Sequence, residues 1–140
     1  MNEKELIKDV VYRFYEKATA DFLIGHHFRK IQEFQGENIL KPPMEAFASH
    51  LPIIERFWRM QLLGEKLQEN ERPFNLIKKH EYLKIRQGEL GRWVVLFKET
   101  LSELEKEQRE SSELIKEWEK RIDLFESIFK KSPILLGNHL

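Results

Sequence analysis

The chain has 140 residues, 41% hydrophobic and 34% charged, which suits one globular domain over residues 1–140 and argues against a disordered chain. Its 24 basic and 24 acidic residues cancel, so the charge gives no sign of nucleic acid or an anionic membrane as partner. There is no cysteine, which excludes disulfides and thiolate-held metals and clusters and leaves His, Asp, Glu or Tyr as metal ligands. No apolar run approaches the ~18 residues that span a bilayer. "MNEKELIKDVV" reads as a charged helix start with no signal-peptide core, and a cytoplasmic location is expected.

Apolar residues recur at helical spacing, and no segment sustains a strand alternation. Leu6, Val10, Phe14 and Ala18 fall four apart and predict a first helix, which "DFLIG" at 21–25 breaks. "HHFRKIQEFQ" gives a short second piece, and "GENILKPP" a loop whose prolines suit a helix start. The next helix is expected from about Met44 to Leu63, with Phe47, His50, Leu51, Ile54, Phe57, Trp58 and Leu62 on one broad face and Gly64 at its end. Pro52 conflicts with an unbroken helix, because proline removes a backbone donor and clashes with the preceding turn. The expectation is a kink there, or regular helix starting close to Pro52.

A polar connection, "EKLQENERP", leads to the short amphipathic piece "FNLIKKHEYL", in which Leu76 and Leu83 flank His80 and turn it inward. Gly88 is expected to break the chain before a longer helix marked by Leu90, Trp93, Val94, Phe97, Leu101 and Leu104. "EKEQRESS" reads as a solvated helix end and turn, with Ser111 or Ser112 suited to cap the last helix. Leu114, Ile115, Trp118, Ile122, Phe125 and Phe129 form that helix's apolar face, Pro133 limits it, and the tail from about 132 to 140 is expected to be frayed. The prediction is an all-α chain of about five substantial helices with short ones between, closer to a globin-like sandwich than to a uniform bundle.

The candidate site residues are weak one at a time. A di-iron bundle site needs Glu-x-x-His on two helices, a spacing missing here, and the adjacent pair His26 and His27 is not expected to point into one site from a helix. His50 and His80 each read, alone, as a core histidine with one hydrogen bond. Tyr15 reads as a half-buried tyrosine, and Trp93 as core. Together they are harder to dismiss, because four large polar-tipped side chains in one small core are costly unless something occupies them. A flat apolar cofactor with a metal and a polar ligand would do so.

Five stretches carry a resemblance: "FYEK" at 14–17, "LIGHHF" at 23–28, "HLPIIERFWRMQLLGE" at 50–65, "KKHEYL" at 78–83 and "LGRWVVLFKETL" at 90–101. In that order and spacing, over roughly Lys8 to Leu104, the chain resembles the truncated haemoglobins, most closely their group III. The glycine-glycine motifs usual in groups I and II are missing, as in group III. The resemblance implies a two-over-two helical sandwich around non-covalent haem b. In it His80 falls on the proximal iron ligand, and Tyr15, His50 and Trp93 fall on the distal positions. Phe28 falls on the phenylalanine that packs against haem at the interhelical corner. Phe14, Ile54 and Phe57 are expected to line the cavity distally and Leu76, Ile77 and Leu83 proximally, with Phe97 and Ile115 closing it. Lys79, Arg86 and Arg92 are candidates for the propionates.

The function this implies is binding of dioxygen, nitric oxide, carbon monoxide or a similar ligand, for scavenging, sensing or redox chemistry more than delivery. An enzymatic version is a haem-dependent nitric oxide dioxygenase or peroxidase-like activity served by a reductase. The contrary reading is a haemless helical interaction module with side chains filling the cavity.

Overall fold

In a computed structural model the described residues are 2–69, 71 and 85–131, and they contain five α-helices and no strand. The helices are α1 (Glu3–Ala20), α2 (Gly25–Arg29), α3 (Leu51–Leu63), α4 (Gln87–Glu107) and α5 (Ser112–Lys131). Short 3₁₀ turns at Met44–Phe47 and Arg109–Ser111 precede α3 and α5. The all-α expectation therefore holds. The expected piece around His80 and the tail from 132 lie outside the described residues.

Local chemistry sets the ends of these helices. Asn2 caps α1, its side-chain oxygen accepting from the Glu5 amide at 2.8 Å, and Glu3, Glu5 and Lys17 complement the helix dipole. Asp21 takes over where α1 stops, its carboxylate accepting from the amides of Leu23 and Ile24. Pro52 resolves as one of the two expected outcomes. The backbone from Met44 to Phe47 is a 3₁₀ turn, and α3 begins at Leu51 with Pro52 in its first turn, where a missing N–H costs nothing. His50 becomes the N-cap residue of α3, and Gly64 closes the helix with φ +70°, a left-handed conformation suited to glycine. Gly88, by contrast, does not break the chain but lies in the first turn of α4.

The helices pack as two pairs. α1 packs against α3, and α4 packs against α5. The pairs meet where α1 crosses α4 and α3 touches α5, an arrangement consistent with a globin-like sandwich. α2 packs on α1 through a close backbone approach at Gly25. A Cβ there would lie 2.8 Å from the Thr19 carbonyl oxygen, and Arg29 Nη1 donates to that same oxygen at 2.9 Å. Arg13 ties α1 to the end of α4 through two bonds to the Glu107 carboxylate, 2.6 and 2.8 Å long. Lys98 pairs with Asp123 across the α4–α5 hairpin.

The core is one cluster. Leu6, Ile7, Val10, Val11 and Phe14 enter it from α1, and Leu96, Phe97, Leu101 and Leu104 from α4. Ile115, Trp118, Ile122 and Phe125 enter from α5, while α3 contributes Phe57 and Trp58. Phe47, fully buried and 6.0 Å from the Tyr15 ring, seats the turn that delivers His50 to α3. Phe47→Ala should cost about 3–5 kcal/mol of stability, the usual range for truncating a buried aromatic. A lowered urea midpoint with an unchanged m-value is the expected readout.

The connection after α3 is strapped to it by charge. Arg56 donates through Nε and Nη2 to the Glu71 carboxylate at 3.1 and 2.8 Å, through Nη2 to the Lys66 carbonyl at 2.8 Å, and also pairs with Glu65. Hydrogen bonds from Arg56 and from the Gln68 amide pull the Glu71 pKa down from the ordinary 4.5 to about 2. The carboxylate pKa is depressed in the fold, so the strap is fully present above about pH 4.5 and is lost as pH falls toward 2. Hydrogen exchange at residues 65–69 should therefore stay slow down to pH 3 in the wild type, after correction for intrinsic rates. Glu71→Gln should raise it above about pH 3, and the difference from the wild type should shrink as pH falls toward 2.

Candidate functional site

Beside the crossing of α1 and α4 the chain leaves a cavity of about 410 Å³. That is within the usual range for ligand pockets, about 300–1,000 Å³. Its described wall is mostly apolar, with Val11, Phe14, Ile24, Phe28, Ile54, Phe57, Trp58 and Phe97 among its residues. Helical spacing explains the convergence. Val11, Phe14 and Tyr15 share one face of α1, and Glu89, Trp93 and Phe97 lie four apart along α4.

Three of the four polar-tipped candidates meet here. Tyr15 from α1, His50 at the start of α3 and Trp93 from α4 all line the cavity. Tyr15 is buried, while His50 and Trp93 are half-buried. The Tyr15 and His50 rings are 5.8 Å apart, so the Pro52 start of α3 keeps His50 turned inward. Phe28 stands edge-on to Tyr15 at 5.2 Å and to Phe14 at 5.9 Å. Trp93 packs against Phe14 at 5.8 Å and Phe97 at 5.3 Å. The Trp93–Phe97 contact is tilted and the other three are edge-to-face; such aromatic pairs each add about 0.5–1.5 kcal/mol beyond area burial and orient the ring planes.

The fourth candidate, His80, lies outside the described residues, as do Leu76, Ile77, Leu83 and Lys79. Ile115 is fully buried in the core and is not among the lining residues, because it faces the α4–α5 seam. Arg86 is exposed just before α4, next to the lining residue Ile85. Arg92 is engaged elsewhere: its Nε and Nη2 lie 2.9 and 2.8 Å from one Asp21 carboxylate oxygen. Burial alone would raise the Asp21 pKa, but Arg92 and the amides of Ile24 and Leu23 outweigh it and hold the group below its ordinary value.

Two polar wall residues go beyond the candidates assigned from the sequence: Glu89, and His27, which was weighed only as a pair with His26 and set aside. Glu89 sits one helical turn before Trp93, so the stripe that carried the tryptophan also pointed to the glutamate. Its carboxylate is nearly buried. One oxygen, Oε1, accepts from the Arg86 amide at 2.8 Å, the reaching-back half of a capping box whose other half an arginine, with no acceptor, cannot return. The other oxygen, Oε2, lies 3.0 Å from His27 Nε2 and 3.2 Å from His26 Nε2.

The expectation that His26 and His27 do not converge is thus corrected. Neighbouring side chains on a helix leave it about 100° apart, but the two rings lie against each other with centroids 4.0 Å apart, and the Glu89 carboxylate from α4 meets the Nε2 edge of both. Burial would raise the Glu89 pKa, yet the Arg86 amide and the two imidazoles together keep it below the ordinary value. His26 is pushed down, first by burial and then by the neighbouring His27. His27 Nδ1 is buried without a hydrogen-bond partner.

No protein-family model matches this chain, and neither a curated protein nor a solved structure matches it.

Proposed function

We propose that this chain is a haem protein of the truncated-haemoglobin type, most like group III, that holds haem b non-covalently and binds a diatomic ligand such as dioxygen, nitric oxide or carbon monoxide. One observation carries the reading: Tyr15, His50 and Trp93, from three different helices, converge on one apolar cavity of about 410 Å³. The walls suit such a group. Flat rings of Phe14, Phe28, Phe57 and Phe97 offer apolar faces to a planar macrocycle, and the polar tips are few and gathered. An open cavity of this size also counts against the haemless reading, in which side chains fill that space.

When bound, haem supplies a redox-active iron that takes small diatomic ligands. The chain supplies the rest. His80, by the resemblance, is the protein ligand to that iron, and its second ring nitrogen would donate to a carbonyl or carboxylate to fix the ring. The Tyr15 hydroxyl and Trp93 indole N–H, which line the cavity, would donate to a bound ligand that carries negative charge, and His50 would be a third donor. Each such bond to a charged acceptor contributes ~1.5–3 kcal/mol, or about one to two orders of magnitude in ligand loss. The aromatic wall excludes bulk water and strengthens these bonds. Tight retention disfavours oxygen delivery and favours scavenging, sensing, or nitric oxide dioxygenase and peroxidase-like chemistry fed by a reductase.

The absorption spectrum of the protein mixed with hemin tests the reading. A Soret band that appears in near-stoichiometric proportion is expected; its absence would sink the haem proposal and favour the interaction module. His80→Ala should abolish or greatly weaken that band, and unchanged binding would reject His80 as the ligand.

Tyr15→Phe and Trp93→Phe each remove one donor while keeping the ring. Stopped-flow measurement should show dioxygen dissociation about ten- to a hundredfold faster in each. Unaltered rates in both would mean that these two groups do not hold the ligand.

A further inference from the structure

We propose that His26, His27 and Glu89 form a second site, for a divalent transition-metal ion, with Zn²⁺ the best match. The three ligand atoms come from α2 and the first turn of α4, and all lie within 4.8 Å of one another. This site does not depend on the haem reading, since none of the three residues is an assigned iron ligand or distal donor.

The geometry is close to what a metal requires. Zn–N and Zn–O bonds of about 2.0–2.2 Å at tetrahedral angles put neighbouring ligand atoms about 3.3 Å apart. Here the two imidazole nitrogens stand 3.2 and 3.0 Å from Glu89 Oε2, close to that spacing on two of the three edges, and all three ligand atoms lie within 4.8 Å of one another. The ligand set of two imidazoles and one carboxylate is a familiar zinc set, with a fourth position left for water. His26 is half exposed, which supplies both an entry path and space for that water.

The support around the site is already built. Glu89 Oε1 is fixed by the Arg86 amide, so the carboxylate cannot swing away. The ion pairs that Glu89 makes among the described residues are with these two rings, not with lysine or arginine. The nearly buried carboxylate has two imidazoles and a backbone amide as its partners, and none of these carries a fixed positive charge as a lysine or arginine does. A dication that displaces the imidazole protons would supply it. Arg29 and Lys30 follow on the same segment and oppose a cation, which argues for moderate rather than extreme affinity.

Equilibrium dialysis of the full chain against Zn²⁺, after chelator treatment, reads the site directly. About one tightly held equivalent is expected, and Co²⁺ in its place should give intense visible ligand-field bands of tetrahedral type. His26→Ala changes a half-exposed side chain, and Glu89→Gln keeps the side chain's shape. Each should weaken binding by at least about ten- to a hundredfold, the loss seen even for outer-shell partners. Failure of the wild type to bind Zn²⁺, or binding that survives both substitutions, would overturn the proposal. The Soret band with hemin is recorded alongside, so that loss of the zinc site and loss of haem binding are read separately.

Discussion

The contact on which the rest of the arrangement depends is that between Phe14 and Phe97, whose ring centroids are 4.6 Å apart where α1 crosses α4. Each ring belongs to two clusters at once. Phe14 also meets Tyr15, Phe28 and Trp93, the rings around the cavity. Phe97 also meets Trp58 and Trp118, the rings of the core. Aromatic side chains are wide and stiff, so a pair of them at a helix crossing fixes both spacing and angle more firmly than leucines would. The cavity opens beside this pair because the same rings that fill the crossing hold the helices apart next to it.

Much of this was legible in the sequence. The four-residue spacing of Leu6, Val10, Phe14 and Ala18, and the alternating four- and three-residue spacing of Leu90, Val94, Phe97, Leu101 and Leu104, fixes which face of α1 and α4 is buried, and a helix with a buried stripe needs little else to be recognised. Pro52 was informative because proline tolerates only a few helical positions, so it marked the true start of α3. Gly88 misled for the opposite reason: glycine is permissive, and at an exposed position in the first turn of a helix it costs little. Periodicity also carries no information about what arrives from another helix. It gave the directions of His26 and His27 from their own backbone but not the Glu89 carboxylate between them. The inward turn of His80 rests on its helical spacing from Leu76 and Leu83 and its role as iron ligand on the resemblance, and the segment lies outside the described residues.

Buried polar groups are distributed unevenly, and that distribution separates core from site. In the α4 core Thr100 is fully buried, and its hydroxyl donates to the Leu96 carbonyl at 2.9 Å, the local solution that makes threonine harmless in a helix. Around the cavity the polar groups instead reach across the chain: Glu89 to α2, and His50 toward Tyr15. Long-range polar contacts fix geometry between elements, and they cost stability if one partner is missing. That pattern suits a wall that must hold donors at set distances. It is less expected of a wall whose only task is to fill space.

The stripe Glu89, Trp93, Phe97 draws these parts together. Three side chains four residues apart on one helix hold a polar cluster, a cavity donor and the central crossing contact in fixed order. A helix is stiff over two turns, so the separation of these groups is set by its rise of 1.5 Å per residue rather than by loop conformation. The first turn of α4 is therefore the sensitive part. It is held at one end by the Glu89 bond to the Arg86 amide and clamped to α2 through the two histidines. Any ion taken up at Glu89 would tighten that clamp and, through the same rigid turn, restrict the movement of Trp93. Coupling between the two proposed sites would then need no rearranged backbone, only a change in how firmly one helical turn is held.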